Sequence, residues 1–476
     1  MAKGDEFLFN VAKRAMFSGS GDLEAIRYRQ DILRDCLKNP AVIRDIYQLP
    51  LEVIENKRHR WMGIFGRSPG GILNNSVEMV QMFVVLLRRL KQIADQHADK
   101  FESEGFVRFF AMLDQELDDE YFASVEDHLK RLRFRNGVLI SAVLGKGNEG
   151  AGYLLRQPNE KKRGLAEMVF ARRAPVYSFR LRSRDDHGAR ALADLRDQGI
   201  NLVANALAQS ADHIESFFEV LRIELAFYIG CLNLVEQLAQ LDESVSFPTP
   251  TPASERQFSA RGLYDVCLAL TMQRKVVGNN INADDKDLVI ITGANQGGKS
   301  TFLRSVGLAQ MMMECGMFVA ADEYLMSVCE NLFTHYRREE DASMTSGKLD
   351  EELARMSAIA GHLVPNAMVL FNESFAATNE REGSEIARQI TRALVERGVR
   401  VFFVTHLYDF AHGWFRSNMS NTLFLRAQRQ ADGTRTFRLS EGEPLETSYG
   451  ADLYKNVFEA NMASEFTHRE QHAASN

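Results

Sequence analysis

The stretch Asp287-Leu288-Val289-Ile290-Ile291-Thr292-Gly293-Ala294-Asn295-Gln296-Gly297-Gly298-Lys299-Ser300-Thr301 decides the fold of the second half of this chain. An apolar run typical of a buried strand leads directly into the pattern G-x-x-x-x-G-K-S, and a helix-like segment, residues 301–313, follows it. Glycines let backbone N–H groups turn inward around phosphate, and the helix N-terminus adds partial positive charge. The pattern in this context predicts a phosphate-binding loop and an α/β P-loop NTPase domain.

Two residues of this loop have specific expected roles. The Lys299 ammonium can reach the β- and γ-phosphates of ATP, and the Ser300 hydroxyl can ligate Mg²⁺. ATP and Mg²⁺ are therefore the expected cofactors. The candidate nucleotide ligands are Gly293, Asn295, Gly297, Gly298, Lys299, Ser300 and Thr301.

Two further apolar runs end in polar residues. Residues 367–371 lead into Asn372-Glu373, and residues 399–404 lead into Thr405-His406. Strands separated by helices predict a parallel sheet that collects its ligands at the carboxyl ends of the strands. Glu373 is then the candidate for polarising the attacking water. His406 is a candidate γ-phosphate sensor, although a histidine after a strand is more often structural.

The first half of the chain has the signals of long helices. Asp22 can cap a helix over Leu23–Leu37, and Ile200–Leu241 lies in a proline-free stretch that predicts one helix of roughly 60 Å. Helices of that length are levers or arms more often than parts of a compact core. Three prolines within Ser244–Ser254 predict a stiff linker and the main domain boundary.

A small β-rich module interrupts the helices at residues 136–185. Val138–Leu144 and Tyr153–Leu155 are strand-like, and Tyr177–Arg184 alternates apolar residues with Ser or Arg, which predicts a strand with one cationic face. Between Lys130 and Arg184 there are fourteen Lys or Arg residues and three acids, a local net charge of +11. Most charge runs are solvated faces, but an excess of this size favours a polyanion such as nucleic acid. The candidate phosphate contacts are Lys161, Lys162, Arg163, Arg180, Arg182 and Arg184.

The composition of all 476 residues is that of a soluble protein, with a net charge of −7, so the chain as a whole is not a basic nucleic-acid coat. The five cysteines are odd in number and lack C-x-x-C spacing, which indicates reduced thiols. Apolar runs such as Met82–Leu87 are much shorter than the roughly 20 residues of a membrane span, and the start lacks a signal-peptide apolar region. We therefore expect a cytoplasmic, nucleoid-associated protein that does not act at a membrane.

The motifs resemble those of the MutS mismatch-repair family. Residues 291–301 are similar to its phosphate loop, Phe371-Asn372-Glu373 to its Walker B motif, and Val404-Thr405-His406 to its switch histidine. Ser346-Gly347-Lys348 resembles the signature loop that reaches the nucleotide of the partner subunit, and Ser448-Tyr449-Gly450 a motif near the end of the ATPase domain. The likeness is strong over about 280–455 and weaker over 20–245.

The resemblance implies a homodimer with composite ATP sites, in which a long-helix lever domain carrying a small β clamp module holds DNA. Duplex DNA, mismatched or branched, and downstream repair proteins are the implied partners. The implied domains are a helical core and lever (1–135), a basic clamp module (136–185), returning lever helices (186–245), the ATPase domain (246–460) and a flexible tail (461–476).

This sequence departs from the family at several positions. The family usually has Asp where this chain has Asn372, which is then a neutral member of the metal site with Ser300. Leu349-Asp350-Glu351 and residues 376–380 also differ from the usual Ser/Thr-rich loops. We expect a short member without the N-terminal mismatch-recognition domain and without an endonuclease-type C-terminal domain.

Three functions remain open on the sequence alone. The first is an ATPase that closes or releases a DNA clamp in mismatch repair or in related repair or recombination. The second is a nucleotide-gated DNA scaffold in which Asn372 leaves ATP bound but barely hydrolysed. The third is an ABC- or SMC-like ATPase that acts on protein partners.

Overall fold

The computed structural model describes residues 1–19, 21–60, 68–135, 137–157, 176–337, 347–430 and 434–445, apart from the side chains of residues 59 and 60. The chain forms two compact units. One unit joins Met1–Leu37 to Phe227–Asn476, and the other is Lys38–Ala226. One long helix contributes residues to both units.

The part of the chain before residue 241 is mainly helical. The predicted helix at 23–37 is confirmed: the Glu24 N–H donates to the Asp22 carboxylate at 2.9 Å, and Ile26 and Leu33 are fully buried. The helices are α1 (Glu6–Phe17), α2 (Leu23–Lys38), α3 (Pro40–Arg60), α4 (Pro69–His97), α5 (Glu104–Glu116), α6 (Asp119–Leu132) and α7 (Asp186–Gln240).

Helix α4 supplies much of the core of the unit formed by residues 38–226. Its Phe83 packs against Phe218 of α7 with ring centroids 6.1 Å apart. The segment Pro69–Lys100 is long and apolar enough to cross a membrane, with a mean hydropathy of 1.3, so the sequence-based exclusion by length was too strict. Half of that apolar window is buried within the fold, and the core helix of a soluble protein passes the same test.

Helix α7 confirms the predicted long helix and begins earlier, at Asp186. The strands β1 (Ile140–Leu144) and β2 (Gly150–Leu155) form an antiparallel pair in which Ile140 lies opposite Leu155, as the strand-like runs predicted.

The predicted strand at Tyr177–Arg184 is wrong. These residues are extended coil and turn, with Tyr177 89% and Phe179 81% exposed, and no described residue pairs with them. Alternation predicts which side chains would share a face, but a strand also needs a hydrogen-bonded neighbour to exist.

A six-stranded sheet forms the centre of the unit that contains the phosphate loop. Its order is β12-β11-β6-β10-β9-β8, in which β11, β6, β10, β9 and β8 run parallel to one another and β12 runs antiparallel to β11. The predicted strands are confirmed as β6 (Leu288–Gly293), β9 (Met368–Asn372) and β10 (Arg400–Val404). The others are β8 (Leu332–Tyr336), β11 (Thr422–Arg429) and β12 (Arg435–Glu441).

The helices of this unit follow the strands. Helix α11 shows the strongest segregation of apolar from polar residues, and its buried face packs on the same core as β9 and β10. These helices are α8 (Val266–Met272), α9 (Lys299–Glu314), α10 (Lys348–Ala360), α11 (Glu380–Glu396) and α12 (Tyr408–Arg416).

A second, four-stranded sheet corrects the predicted linker. Its order is β3 (Thr249–Thr251), β7 (Glu323–Ser327), β4 (Phe258–Leu263) and β5 (Asn279–Asn282). The segment Ser244–Ser254 is thus part of the folded unit, and Pro250 lies opposite Met326 in the edge strand. An edge strand tolerates proline because the missing N–H can face away from the ladder.

The five cysteines are free thiols, and all but Cys267 are buried. Burial raises the pKa of Cys315 to about 12, so this thiol stays protonated and unreactive at neutral pH. The cysteines pack as small apolar side chains, in agreement with the expectation of reduced thiols.

Candidate nucleotide-binding site

The phosphate loop joins the carboxyl end of β6 to the N-terminus of α9. Gly293 and Gly298 have φ values of +109° and +91°, a conformation that L side chains rarely adopt. A Cβ atom at Gly293 would also lie 2.9 Å from the backbone nitrogen of Ala427 on β11. The loop therefore needs glycine at this position both for its backbone conformation and for its approach to the neighbouring strand.

Lys299 points its charge back into the loop. Its side chain is 5% exposed, and its Nζ donates hydrogen bonds to the carbonyl oxygens of Gly293 and Ala294, both at 2.9 Å. Burial lowers the pKa of Lys299 to about 8, with the Glu373 carboxylate opposing this shift and the Arg435 guanidinium adding to it. The side chain is thus a buried cation bonded to neutral carbonyls, and a phosphate would be a stronger acceptor.

Ser300 is oriented by Asn372. The Ser300 hydroxyl donates to Oδ1 of Asn372, the last residue of β9, at 2.7 Å. A hydroxyl has one proton, so the Ser300 oxygen keeps lone pairs that are free to accept or to ligate. Mg²⁺ in nucleotide sites takes one or two protein oxygens beside phosphates and waters, so this residue pair fits a magnesium–nucleotide complex. The described residues contain no group of three or more His, Cys, Asp or Glu that would hold a metal without a nucleotide.

Glu373 and His406 form a second pair at the same edge of the sheet. The His406 Nε2 lies 2.9 Å from Glu373 Oε1, and each side chain is about one third exposed. Because a carboxylate only accepts, the Nε2 atom carries the proton. The hydrogen bond from His406 lowers the pKa of Glu373 against the opposing effect of burial, so the carboxylate is ionised at neutral pH. The Glu373 N–H also donates to the Val404 carbonyl at 2.9 Å, which fixes the end of β9 to the end of β10.

A pocket of about 560 Å³ opens over the loop. This volume lies in the range of small-molecule sites. Its lining includes residues of the phosphate loop, Ser300 and Glu373. It also includes a mainly apolar wall that the sequence analysis missed, consisting of Leu263, Tyr264, Leu268, Met272, Val276, Val277 and Phe437.

This wall is built from α8, the loop after it and β12. The Asp265 carboxylate caps α8 through the Leu268 N–H at 3.0 Å and also accepts from the Arg304 guanidinium of α9 at 2.5 Å. One sequence signal could have located the wall: an N-cap aspartate, Asp265, directly before a short apolar helix.

The loop at Lys275–Val276 is held by residues that follow the end of α7. The Val276 N–H donates to the Glu243 carboxylate at 2.6 Å, and the Lys275 ammonium donates to Asp242 at 3.2 Å. Glu243 is 9% exposed, and burial raises its pKa. The pocket wall is therefore hydrogen-bonded to the segment that terminates the longest helix of the described chain.

The structure brings together the residues predicted for the phosphate loop, Ser300, Asn372, Glu373 and His406. Gly347 and Lys348 lie at the N-terminus of α10, where a Cβ on Gly347 would meet open space. Arg180, Arg182 and Arg184 are exposed. Ser346, Lys161, Lys162, Arg163, residues 448–450 and the tail 461–476 lie outside the described residues.

Comparison with known proteins agrees with this geometry. Residues 21–241 match the model of the MutS2 N-terminal domain, and residues 289–464 match that of MutS domain V, which is a P-loop ATPase domain. The DNA mismatch repair protein MutS of Thermotoga neapolitana is 28% identical over 244 residues, covering 49% of this chain and 30% of that protein.

Two other relatives differ in how much of this chain they match. The protein named Endonuclease MutS2 of Geobacillus kaustophilus is 27% identical over 361 residues, 70% of this chain and 45% of its own length. The MutS of Thermotoga petrophila is 34% identical over 186 residues, 37% of this chain and 24% of its own length. The chain thus spans less than half of the curated relatives it matches.

The parallel sheet, the loop around Lys299 and the polar strand ends define a P-loop nucleotide-binding protein. With both domain models matched, the chain belongs to the MutS family. This confirms the resemblance read from residues 291–301, 371–373 and 404–406.

The depressed pKa of Lys299 predicts a pH dependence of ATP binding. Above pH about 8 the Lys299 side chain of the nucleotide-free protein loses its proton. Bound phosphate would favour the charged ammonium, so ATP binding above this pH must be accompanied by uptake of a proton. We expect ATP affinity to be nearly constant below pH about 7.5 and to fall by up to about tenfold per unit at about pH 9 and above. Titration with a fluorescent ATP analogue measures this.

Lys299→Ala is the matched variant for this measurement. It should bind ATP weakly at every pH, lose turnover and keep the melting temperature of the parent, because Lys299 bonds its own loop rather than the core. A wild-type affinity that stays level up to about pH 9.5, or normal turnover by the folded variant, would contradict the assignment of Lys299.

Proposed function

We propose that this protein is an ATP-dependent DNA-binding protein of the MutS type, in which ATP binding and hydrolysis drive a dimeric DNA clamp. The processes it fits are DNA mismatch repair and related repair or recombination. The observation that carries the proposal is the convergence of Lys299, the Ser300–Asn372 pair and the Glu373–His406 pair at one pocket.

In this proposal each of these residues has a part in the hydrolysis. Incoming phosphates replace the carbonyls of Gly293 and Ala294 as acceptors of the Lys299 ammonium, which releases the loop. Bound Mg²⁺ would supply charge neutralisation on the phosphates, and Ser300 is the residue that would hold it. Glu373 is ionised and able to orient a water and accept its proton, while His406 fixes the carboxylate and reports on the γ-phosphate.

The DNA-binding part of the proposal rests on charge. The window 130–184 carries a net charge of +11 within a chain of −7, and Arg180, Arg182 and Arg184 are exposed on extended coil. Exposed arginines without a fixed base-reading geometry suit phosphate contacts, which bind duplex, mismatched or branched DNA alike. Downstream repair proteins and a nucleoid-associated, cytoplasmic location belong to the same proposal.

The second candidate is a nucleotide-gated DNA scaffold with little hydrolysis. The neutral Asn372 amide favours it, since the oxygen that orients Ser300 brings no negative charge to the metal. Steady-state turnover separates this candidate from the first. Salt-dependent DNA binding separates both from an ABC- or SMC-like ATPase that acts on proteins.

The main experiment is an ATPase assay without DNA and with duplex, mismatched and branched DNA at fixed salt. In this assay, Glu373→Gln should lower kcat by about 100-fold or more while ATP stays bound, because the base is lost and the shape is kept. Asn372→Asp keeps an acceptor for the Ser300 hydroxyl and adds a charge, so it should lower the Mg²⁺ concentration needed for turnover. Normal hydrolysis by Glu373→Gln would place the base elsewhere.

The DNA surface is tested by the triple variant Arg180→Ala, Arg182→Ala, Arg184→Ala. The slope of log affinity against log salt on duplex DNA should fall by up to about 0.9 per lost contact. The matched control replaces three exposed arginines on or directly after α11, Arg381, Arg392 and Arg397, with alanine and should leave the slope unchanged. An unchanged slope in the first variant would move the DNA surface away from residues 180–184.

The composite site is tested by mixing two inactive variants. Lys299→Ala removes a phosphate ligand, and Lys348→Ala alters the predicted signature loop. If each nucleotide lies between two subunits, each site takes its phosphate loop from one subunit and its signature loop from the other. A mixed dimer then has one site that carries both substitutions and one site that carries neither. Mixing should therefore restore part of the turnover. Turnover that remains the average of the separate variants at every ratio would show that the subunits act independently.

A further inference from the structure

A buried polar cluster lies behind Glu373, outside the nucleotide pocket. It consists of His335 at the end of β8, Glu352 on α10 and Ser374 in the turn after β9, which are 0%, 4% and 0% exposed. Three buried polar side chains on three elements are costly to bury unless each has a partner. Their contacts therefore indicate what the cluster holds in place.

The cluster holds the turn that carries Glu373. The Glu352 carboxylate accepts a hydrogen bond from the backbone N–H of Phe375 at 2.7 Å. Both Glu373 and Phe375 have left-handed backbone conformations, with φ of +54° and +63°. Residues other than glycine keep such conformations only when the surrounding structure enforces them. Glu352 is one of the groups that enforce this turn.

His335 ties the same turn to the same helix by a second path. Its Nε2 lies 3.0 Å from the Glu352 backbone carbonyl, and its Nδ1 lies 2.7 Å from the Ser374 hydroxyl. A carbonyl only accepts, so Nε2 carries the proton. Burial lowers the pKa of His335, so the ring is neutral and Nδ1 accepts from the Ser374 O–H. The Ser374 hydroxyl has one proton and also lies 2.7 Å from the His335 carbonyl, but donation there would leave the lone pairs of Nδ1 and the hydroxyl oxygen facing each other.

We propose that Glu352, with His335 and Ser374, is a positioning residue that couples the start of α10 to Glu373. Helix α10 begins at Lys348, directly after Gly347, so Glu352 lies little more than one helical turn from the predicted signature loop. A contact of that loop with the partner subunit's nucleotide would move α10, and the two hydrogen-bonded paths carry this movement to the turn of Glu373. The inference rests on the proposed ATPase function and adds the residues that make hydrolysis depend on dimer contact.

The test compares Glu352→Ala with Glu352→Gln in the full chain. Alanine leaves the Phe375 N–H without its acceptor, so kcat for ATP should fall by about 10- to 100-fold, with KM and the affinity for a fluorescent ATP analogue within about threefold. Glutamine keeps an acceptor oxygen at the same place and should restore kcat to within about threefold of the parent. Glu396→Ala, which removes an exposed carboxylate that lies 3.8 Å from Arg392 near the end of α11, is the matched control and should retain the parent kcat.

Hydrogen exchange gives a readout that does not depend on turnover. ATP should protect the backbone amides of residues 373–377 in the wild-type chain and in Glu352→Gln, but not in Glu352→Ala. Parent-like kcat and protection in a folded Glu352→Ala would overturn the inference. Equal loss of ATP binding and melting temperature in both Glu352 variants would also overturn it, since the role would then be structural. A wild-type chain that binds ATP without hydrolysing it would instead count against the ATPase proposal, and exchange would still decide on Glu352.

Discussion

The buried Lys299 ammonium is the constraint around which the nucleotide site is organised. A cation at 5% exposure whose two hydrogen bonds, both 2.9 Å long, go to neutral carbonyls is incompletely compensated for its lost hydration. The loop can hold it there because β6 ends in the middle of the sheet, between β10 and β11, where backbone amides and the α9 N-terminus converge. Parallel pairing then places the polar ends of β9 and β10 at the same edge, so that their side chains face one ligand.

The last residue of β9 and the three residues after it each contact a different part of the fold. Asn372 accepts from Ser300 of α9, and Glu373 pairs with His406 after β10. Ser374 bonds His335 of β8, and the Phe375 N–H bonds Glu352 of α10. The first two contacts face the pocket and the last two are buried. A single short segment is thus hydrogen-bonded to four neighbouring parts of the fold, which enforce the left-handed backbone conformations of Glu373 and Phe375.

The sequence predicted the parts of the fold that depend on local pattern. The glycines and Lys299, the strands at residues 288–293 and 400–404, and the long helix ending at Gln240 are all encoded within a few neighbouring residues. What it missed depends on distant contacts. The pocket wall requires β12 to reach the loop after α8, and the strand expected at 177–184 has no described partner. Pro250 favours a linker on local grounds, because nothing near it in the sequence shows that Met326 lies opposite it in an edge strand.

The hydrogen bond between Val276 and Glu243 has a mechanical consequence. Glu243 lies three residues after the end of the 55-residue helix α7, whose length is about 80 Å at 1.5 Å per residue. For a rod of that length, each degree of tilt at one end displaces the other end by roughly 1.4 Å. The wall of the nucleotide pocket and the end of this helix therefore cannot shift independently without breaking the hydrogen bond from the Val276 N–H to the Glu243 carboxylate.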